Sequence, residues 1–126
     1  MKPIDILNQA QTVAVIGYKT EPDSFAFRIA QDLITHGKTV YGVNPKLQKD
    51  EGVASIQDIE QPIDLAVFVV NPTIGMMYLD DLVQQGITHL WLQPGTISDA
   101  LLEAAKERHI TTIEACVLAT YANQHD

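Results

Sequence analysis

The sequence predicts an α/β fold: a doubly wound, Rossmann-like domain of three layers, with a five-stranded parallel sheet in the order 3-2-1-4-5. Three observations lead there. Five short apolar runs alternate with segments of helical period. Each of the first four runs is closed by Gly, Asn-Pro or Gln-Pro-Gly. The separations match βαβ units, because parallel strands need a long crossover, usually a helix. At 126 residues, 46% of them hydrophobic, the chain suits one domain spanning 1–126 and excludes disorder.

Residues 3–10 read as a short leading helix. Thr12-Val13-Ala14-Val15-Ile16-Gly17 is a β-branched run ended by Gly, the mark of a strand buried on both faces. From Asp23 to His36 the apolar positions Phe27, Ile29, Ala30, Leu33 and Ile34 fall at helical spacing, with Asp23 or Ser24 as the cap and Gly37 as the stop. Thr39–Val43 is a second strand cut off by Asn44-Pro45, since proline cannot donate to a ladder. A polar connection, Lys46 to Gly52, leads to one helical turn around Ser55–Ile59. Asp64–Val70 is a third strand ended by Asn71-Pro72, followed by a helix over Thr73–Gln85 that Gly86 stops. Thr88–Leu92 is a fourth strand closed by Gln93-Pro94-Gly95. Ser98-Asp99 opens a helix to Arg108, with Lys106 and Arg108 at its negative end. His109–Glu114 is the fifth strand.

The net charge of −8 argues against nucleic-acid and anionic-membrane partners, which need a large basic face. No run approaches the roughly 20 apolar residues of a membrane span. The start, Met1-Lys2-Pro3-Ile4-Asp5, lacks the apolar stretch of a signal peptide, and the single Cys116 can form no internal disulfide, so a cytoplasmic location is expected. The charge is unevenly spread. Five of the eight bases, Lys19, Arg28, Lys38, Lys46 and Lys49, lie between 19 and 49, whereas Asp50 through Ala105 holds nine acids and no base.

Ligands of doubly wound sheets bind outside the carboxyl ends of the strands, at the switch point, here expected between strands 1 and 4. Those ends are Gly17-Tyr18-Lys19, Asn44-Pro45-Lys46, Val70-Asn71-Pro72 and Gln93-Pro94-Gly95. The helix opening near Asp23 and Ser24 points its positive end at the same rim, which suits a phosphate or pyrophosphate. A full GxGxxG fingerprint is missing, since only Gly17 is present. The acid that NAD sites place after strand 2 is replaced by Asn44, followed by Pro45 and Lys46. A lysine beside the ribose favours a ligand with an extra phosphate there, and NADP and coenzyme A both satisfy that demand.

Val15-Ile16-Gly17-Tyr18-Lys19-Thr20-Glu21-Pro22-Asp23, Val43-Asn44-Pro45, Val69-Val70-Asn71-Pro72, Leu90-Trp91-Leu92-Gln93-Pro94-Gly95 and Glu114-Ala115-Cys116 together resemble the small single-domain bacterial CoA-binding proteins. The same domain opens the α subunit of succinyl-CoA synthetase and the NDP-forming acyl-CoA synthetases. The resemblance covers residues 10–120. It implies that Gly17, Tyr18 and Lys19 form the turn under the pyrophosphate, and that Asn44, Pro45 and Lys46 meet the adenosine end and its 3′-phosphate. It further implies that Val70, Asn71 and Pro72 flank the adenine or the start of the pantetheine arm, with Gln93 to Gly95 lining the remainder. Family members commonly read PxRPSY after the first strand and CxKxE after the cysteine. Here Ser24 replaces the arginine, Ala26 the serine, and Leu118 and Thr120 the lysine and glutamate.

Other features read more simply. Cys116 is a small apolar residue after the last strand, with a mixed disulfide to the CoA thiol as the sharper alternative. His36, His89, His109 and His125 have no metal-ligand or nucleophile-base spacing. Asp80 and Asp81 belong on a solvated helix face, and Trp91 in the core or an interface. The functional expectation is a protein that binds coenzyme A or an acyl-CoA without catalysis of its own. Its alternatives are an NAD(P)-binding or CoA-ligase accessory subunit, and a degenerate domain acting through protein contacts; a homodimer or another protein partner stays open.

Overall fold

The computed structural model describes residues 1–124, so His125 lies outside the described residues. The elements are α1 (Pro3–Gln9), β1 (Thr12–Ile16), α2 (Phe25–Thr35), β2 (Thr39–Val43), a 3-10 turn (Ile56–Asp58), β3 (Leu65–Phe68), α3 (Pro72–Gln84), β4 (His89–Leu92), α4 (Asp99–Glu107), β5 (Thr111–Glu114) and α5 (Val117–Ala122). All strand pairs are parallel. Helices cover both faces, giving the three-layer, Rossmann-like α/β architecture.

The strand order corrects the expectation. It is β2-β1-β3-β4-β5, with β3 beside β1 instead of beyond β2. Burial explains the difference. Leu65-Ala66-Val67-Phe68 is fully buried on both faces, so it needs a neighbour on each side. Thr39-Val40-Tyr41-Gly42-Val43 is mostly half-buried, with Thr39 exposed, and suits the edge. The β2–β3 link must then pass behind β1. Right-handed crossovers put a link running in this direction on the face opposite α2. Accordingly Ile56, Ile59 and Ile63 of the link join Ala14, Ile16, Phe68, Leu79, Leu90 and Leu101 in the core beneath α3 and α4. The second core lies on the other face, where α1, α2 and α5 cover Val13, Val15, Leu65, Val67 and Trp91. Trp91 is 0% exposed, as a core residue.

Each long helix starts on a side-chain cap. Ser24 Oγ accepts from the Phe27 N–H at 3.2 Å, Asn71 Oδ1 from Ile74 at 2.9 Å and Ser98 Oγ from Leu101 at 3.1 Å. Between the two caps proposed for α2, the structure selects Ser24. Asp80 is more than a solvated acid, because its carboxylate accepts from Arg108 Nε at 2.8 Å and ties α3 to α4. The short α5 carries no sequence signal of its own. It packs Val117 and Tyr121 inward, and the Tyr121 ring stacks on His36 at 3.6 Å and 5°.

Tyr121 is 4% exposed and its hydroxyl has no protein partner. Burial, and then the Asp32 carboxylate, push its phenol up to about 12. The native state therefore keeps a proton that an unfolded tyrosine, near 10, gives up. That contribution is intact below about pH 10 and is lost as pH rises towards 12. Tyr121→Phe is expected to shrink the alkaline loss of stability, seen in urea titrations at pH 9 and pH 11. The remainder belongs to Tyr18 and Tyr78, whose phenols are also raised by burial. At pH 7 the variant gains up to about 2 kcal/mol, since an unpaired buried hydroxyl disappears.

Candidate functional site

The site begins where β1 stops. Gly17 turns the chain at φ 96°, and an added Cβ would lie 2.7 Å from both the Val69 carbonyl oxygen and Val70 Cγ1. The turn therefore presses against the end of β3, which is possible only because β3 adjoins β1. The Gly17 and Tyr18 N–H groups donate to the Val43 carbonyl at 2.9 and 3.3 Å. Asn44 locks the same corner: its Nδ2 donates to the Tyr18 carbonyl at 3.0 Å, and its Oδ1 accepts from the Lys46 N–H at 3.1 Å. The Tyr18 ring lies over Gly42 so closely that no Cβ fits there. Burial and the Glu51 carboxylate raise the Tyr18 phenol above its usual value, so it stays neutral at physiological pH.

Around this corner opens a cleft of ≈ 970 Å³. Three segments wall it. One is the Gly17–Ser24 turn into α2, the second is Asn44–Leu47 with Glu51, and the third is Val69, Val70 and Ile74. Ser24, the N-cap of α2, lines it, and the N–H groups of Phe25 and Ala26 that follow precede any helical acceptor. Two ammonium groups, Lys19 and Lys46, stand against three carboxylates, Glu21, Asp23 and Glu51. An anion bound here is held by directed local donors, not by a net positive field.

Of the residues expected from sequence, Gly17, Tyr18, Lys19, Ser24, Asn44, Pro45, Lys46 and Val70 meet in this cleft. Four do not line it. Asn71 and Pro72 form the N-cap and first position of α3, with Asn71 engaged by Ile74. Gln93 is 1% exposed and works inside the fold: its Oε1 accepts from Trp91 Nε1 at 3.0 Å and from the Val117 N–H at 2.8 Å. Gly95 is an exposed turn residue at φ 90°. The switch point lies between β1 and β3, and β4 is a strand further away. Thr20, Glu21, Asp23, Leu47, Glu51, Val69 and Ile74 were missed. The sequence signal for Val69 was its place at the strand end; for Leu47 and Glu51 it was the polar link after β2. Arg28 lies on the exposed face of α2, outside the cleft lining.

The fit to coenzyme A rests on three observations. The cleft is at the upper end of the volumes that hold small ligands. A helix N-terminus and a lysine can take phosphates, and the inner wall of Val69, Val70 and Ile74 is apolar. The position after β2 carries Asn44, engaged on both ends of its amide, in place of a ribose-binding acid. The family described as CoA binding domain matches residues 11–122. The chain belongs to the CoA binding domain family.

This CoA-binding domain is similar to several solved structures. A hypothetical protein from Pyrococcus horikoshii OT3 has a TM-score of 0.89 at 23% identity, over 100% of this chain and 94% of that one. Cell-free ID.343 from Thermus thermophilus has a TM-score of 0.87 at 28% identity, over 94% and 93% of the two chains. The dinucleotide forming acetyl-coenzyme A synthetase 1 of Ca. Korarchaeum cryptofilum has a TM-score of 0.69 at 20% identity, over 82% of this chain but 25% of that one. The departures from the family pattern can now be located. Ser24 lines the cleft and caps α2, and Ala26 is buried in the first turn of α2. Leu118 packs on the α1–α2–α5 core and Thr120 lies in α5, both outside the cleft lining.

Among the described residues, no helix is long and apolar enough to cross a membrane, and no group of three or more His, Cys, Asp or Glu could hold a metal ion.

Proposed function

We propose that the protein binds coenzyme A or an acyl-CoA in the Gly17–Asn44–Val70 cleft and performs no catalytic step of its own. The observation that carries the reading is the junction, in one ≈ 970 Å³ cleft, of the Gly17 turn, the Ser24 cap of α2 and Lys46. In this reading the pyrophosphate lies over the Gly17 turn, where α2 offers N–H groups and the positive end of its dipole. Lys46 meets the 3′-phosphate and Asn44 holds the corner rigid by its two hydrogen bonds. The apolar wall of Val69, Val70 and Ile74 takes the pantetheine arm.

Three of the groups that could attack or transfer a proton, His36, His89 and Cys116, lie outside the cleft lining, which supports a binding role. His36 stacks on Tyr121 with its Nδ1–H donating to the Asp32 carbonyl at 2.7 Å, and His89 Nδ1 pairs with the Thr88 hydroxyl at 3.0 Å. Cys116 is half-buried at the start of α5 and does not line the cleft. We place the protein in the cytoplasm and keep kinship with the opening domain of the succinyl-CoA synthetase α subunit as part of the same proposal.

Calorimetric titration with CoA, dephospho-CoA, NAD and NADP tests the reading. Lys46→Ala is expected to weaken CoA about threefold to tenfold and to change dephospho-CoA by less than about twofold, as for one charge-assisted contact at an exposed site. No heat with CoA at millimolar concentration rejects the ligand, and equal losses for both ligands reject the role of Lys46. CoA released from acetyl-CoA faster than in buffer alone would reject the absence of catalysis.

A further inference from the structure

The two edges of the sheet are finished differently. On the outer side of β2 the chain returns: the Val53 N–H donates to the Gly42 carbonyl at 2.9 Å, and the Asn44 N–H donates to the Val53 carbonyl at 3.0 Å. Among the described residues nothing comparable covers β5. The Thr111 and Ala115 N–H groups donate inward, to the carbonyls of Thr88 at 2.8 Å and Leu92 at 3.3 Å. Backbone groups alternate sides along a strand, so Thr112 and Glu114 turn their N–H and C=O groups outward. Such an uncovered row is a template for another strand.

The charges along this edge select its occupant. Lys106, in the last turn of α4, and His109 stand at the amino end of β5, and Glu114 stands at its carboxyl end; all three line one groove of ≈ 520 Å³ with Leu102 and Ile110. Among the described residues neither Lys106 nor Glu114 belongs to an ion pair. His109 also holds a costly conformation. α2 and α3 end on Gly37 and Gly86 at positive φ, and α4 ends on the same pair of backbone bonds with His109 at φ 59°. Glycine would relieve this strain, so the imidazole kept there points to a role for the side chain at this edge. We propose that a second copy of this chain pairs with β5 as an antiparallel strand, so that two five-stranded sheets become one. A two-fold axis at Thr112 lets the two Thr112 residues exchange both N–H to carbonyl bonds and sets Glu114 opposite the partner's Ile110. Each Glu114 carboxylate then reaches the amino end of the partner's β5, where Lys106 and His109 stand, so opposite charges meet twice. The contact leaves the cleft open, because β4 and β5 separate this edge from β1, β2 and β3.

Sedimentation equilibrium from about 10 μM to about 1 mM protein tests the pairing, in about 0.15 M salt to screen the repulsion between two acidic chains. The average mass is expected to rise from one chain towards two; the mass of one chain throughout overturns the proposal. Thr112→Pro removes an outward N–H and no bond to β4, and is expected to weaken the dimer at least about tenfold with the far-ultraviolet circular dichroism unchanged. Lys106→Glu and Glu114→Lys are each expected to weaken it about threefold to tenfold, and the double variant to recover to within about twofold of the unaltered chain. Lys106 and Glu114 are exposed, so these variants keep the fold even where Thr112→Pro does not. A dimer that survives in a folded Thr112→Pro chain, or a double variant no tighter than the single ones, overturns the pairing. So does a dimer that Met77→Ser dissociates, because the second copy would then sit on α3, where Met77 is 76% exposed.

Discussion

Gly17→Ala is expected to destabilise the protein by about 2–5 kcal/mol, the combined cost of a left-handed backbone and an overpacked contact. Alanine is strained at φ 96° wherever it stands, and here its Cβ would also lie 2.7 Å from a backbone oxygen and a valine methyl. Neither neighbour is a flexible side-chain end. The Val69 carbonyl belongs to the end of the central strand, and Val70 follows it. The turn would have to lift away from β3, which would open the wall of the cleft and cost CoA affinity as well. Gly95→Ala separates the two causes. Its φ is 90°, yet nothing lies within 4 Å of the added Cβ, so the backbone term alone, about 1–2 kcal/mol, is expected. Urea titration of both variants provides the measurement. Equal losses at the two positions would show that the contact between turn and strand yields, and would remove the rigid wall from the description of the cleft.

Gln93→Leu is expected to cost about 2–4 kcal/mol while leaving the cleft in place, the two donors it strands outweighing the gain from removing Gln93 Nε2, itself buried without a partner. One side-chain oxygen satisfies two buried donors, the Trp91 indole N–H and the Val117 N–H. Leucine matches the volume and strands both, and each unsatisfied buried donor costs about 1–3 kcal/mol. The Gln93 carbonyl would keep its own bonds from the Thr96 N–H at 3.1 Å and hydroxyl at 2.7 Å, so the turn after β4 should hold. Trp91 is the sole tryptophan, and its emission should shift to shorter wavelength when the indole loses its acceptor. A CoA affinity that falls more than about threefold in a folded Gln93→Leu protein would show that Gln93 belongs to the ligand site after all. Unchanged stability would mean that the two donors find other acceptors.

The fold class was legible because its signals are local. Uninterrupted apolar runs mark buried strands, and Asn71-Pro72, Ser24 and Ser98 mark helix starts through bonds that span three residues. The order of the strands was not legible in the same way. Placing β3 beside β1 depends on comparing two runs against each other: Leu65–Phe68 has no polar residue, whereas Thr39–Val43 carries Thr, Tyr and Gly. It also depends on noticing that the β2–β3 link holds three helical residues instead of a full helix. α5 escaped notice because six residues are too few to show a helical period.

The same division runs through the site. Gly17, Asn44 and Lys46 could be named from the chain, since each follows a strand and the rim of a parallel sheet gathers strand ends. Gln93 follows a strand as well and is expected by the same rule. It turns instead into the interior, where a buried indole and a helix start compete for its oxygen. The acids Glu21, Asp23 and Glu51 reach the cleft only because two loops fold towards each other, and no spacing announces that. Sequence thus carries the fold class, the strand ends and the glycine turn, all consequences of bonding within a few residues. Which strand adjoins which, whether a rim residue faces ligand or core, and where the exposed side of α3 meets the cleft are settled by long-range packing, because burial free energy is shared among residues distant in the chain.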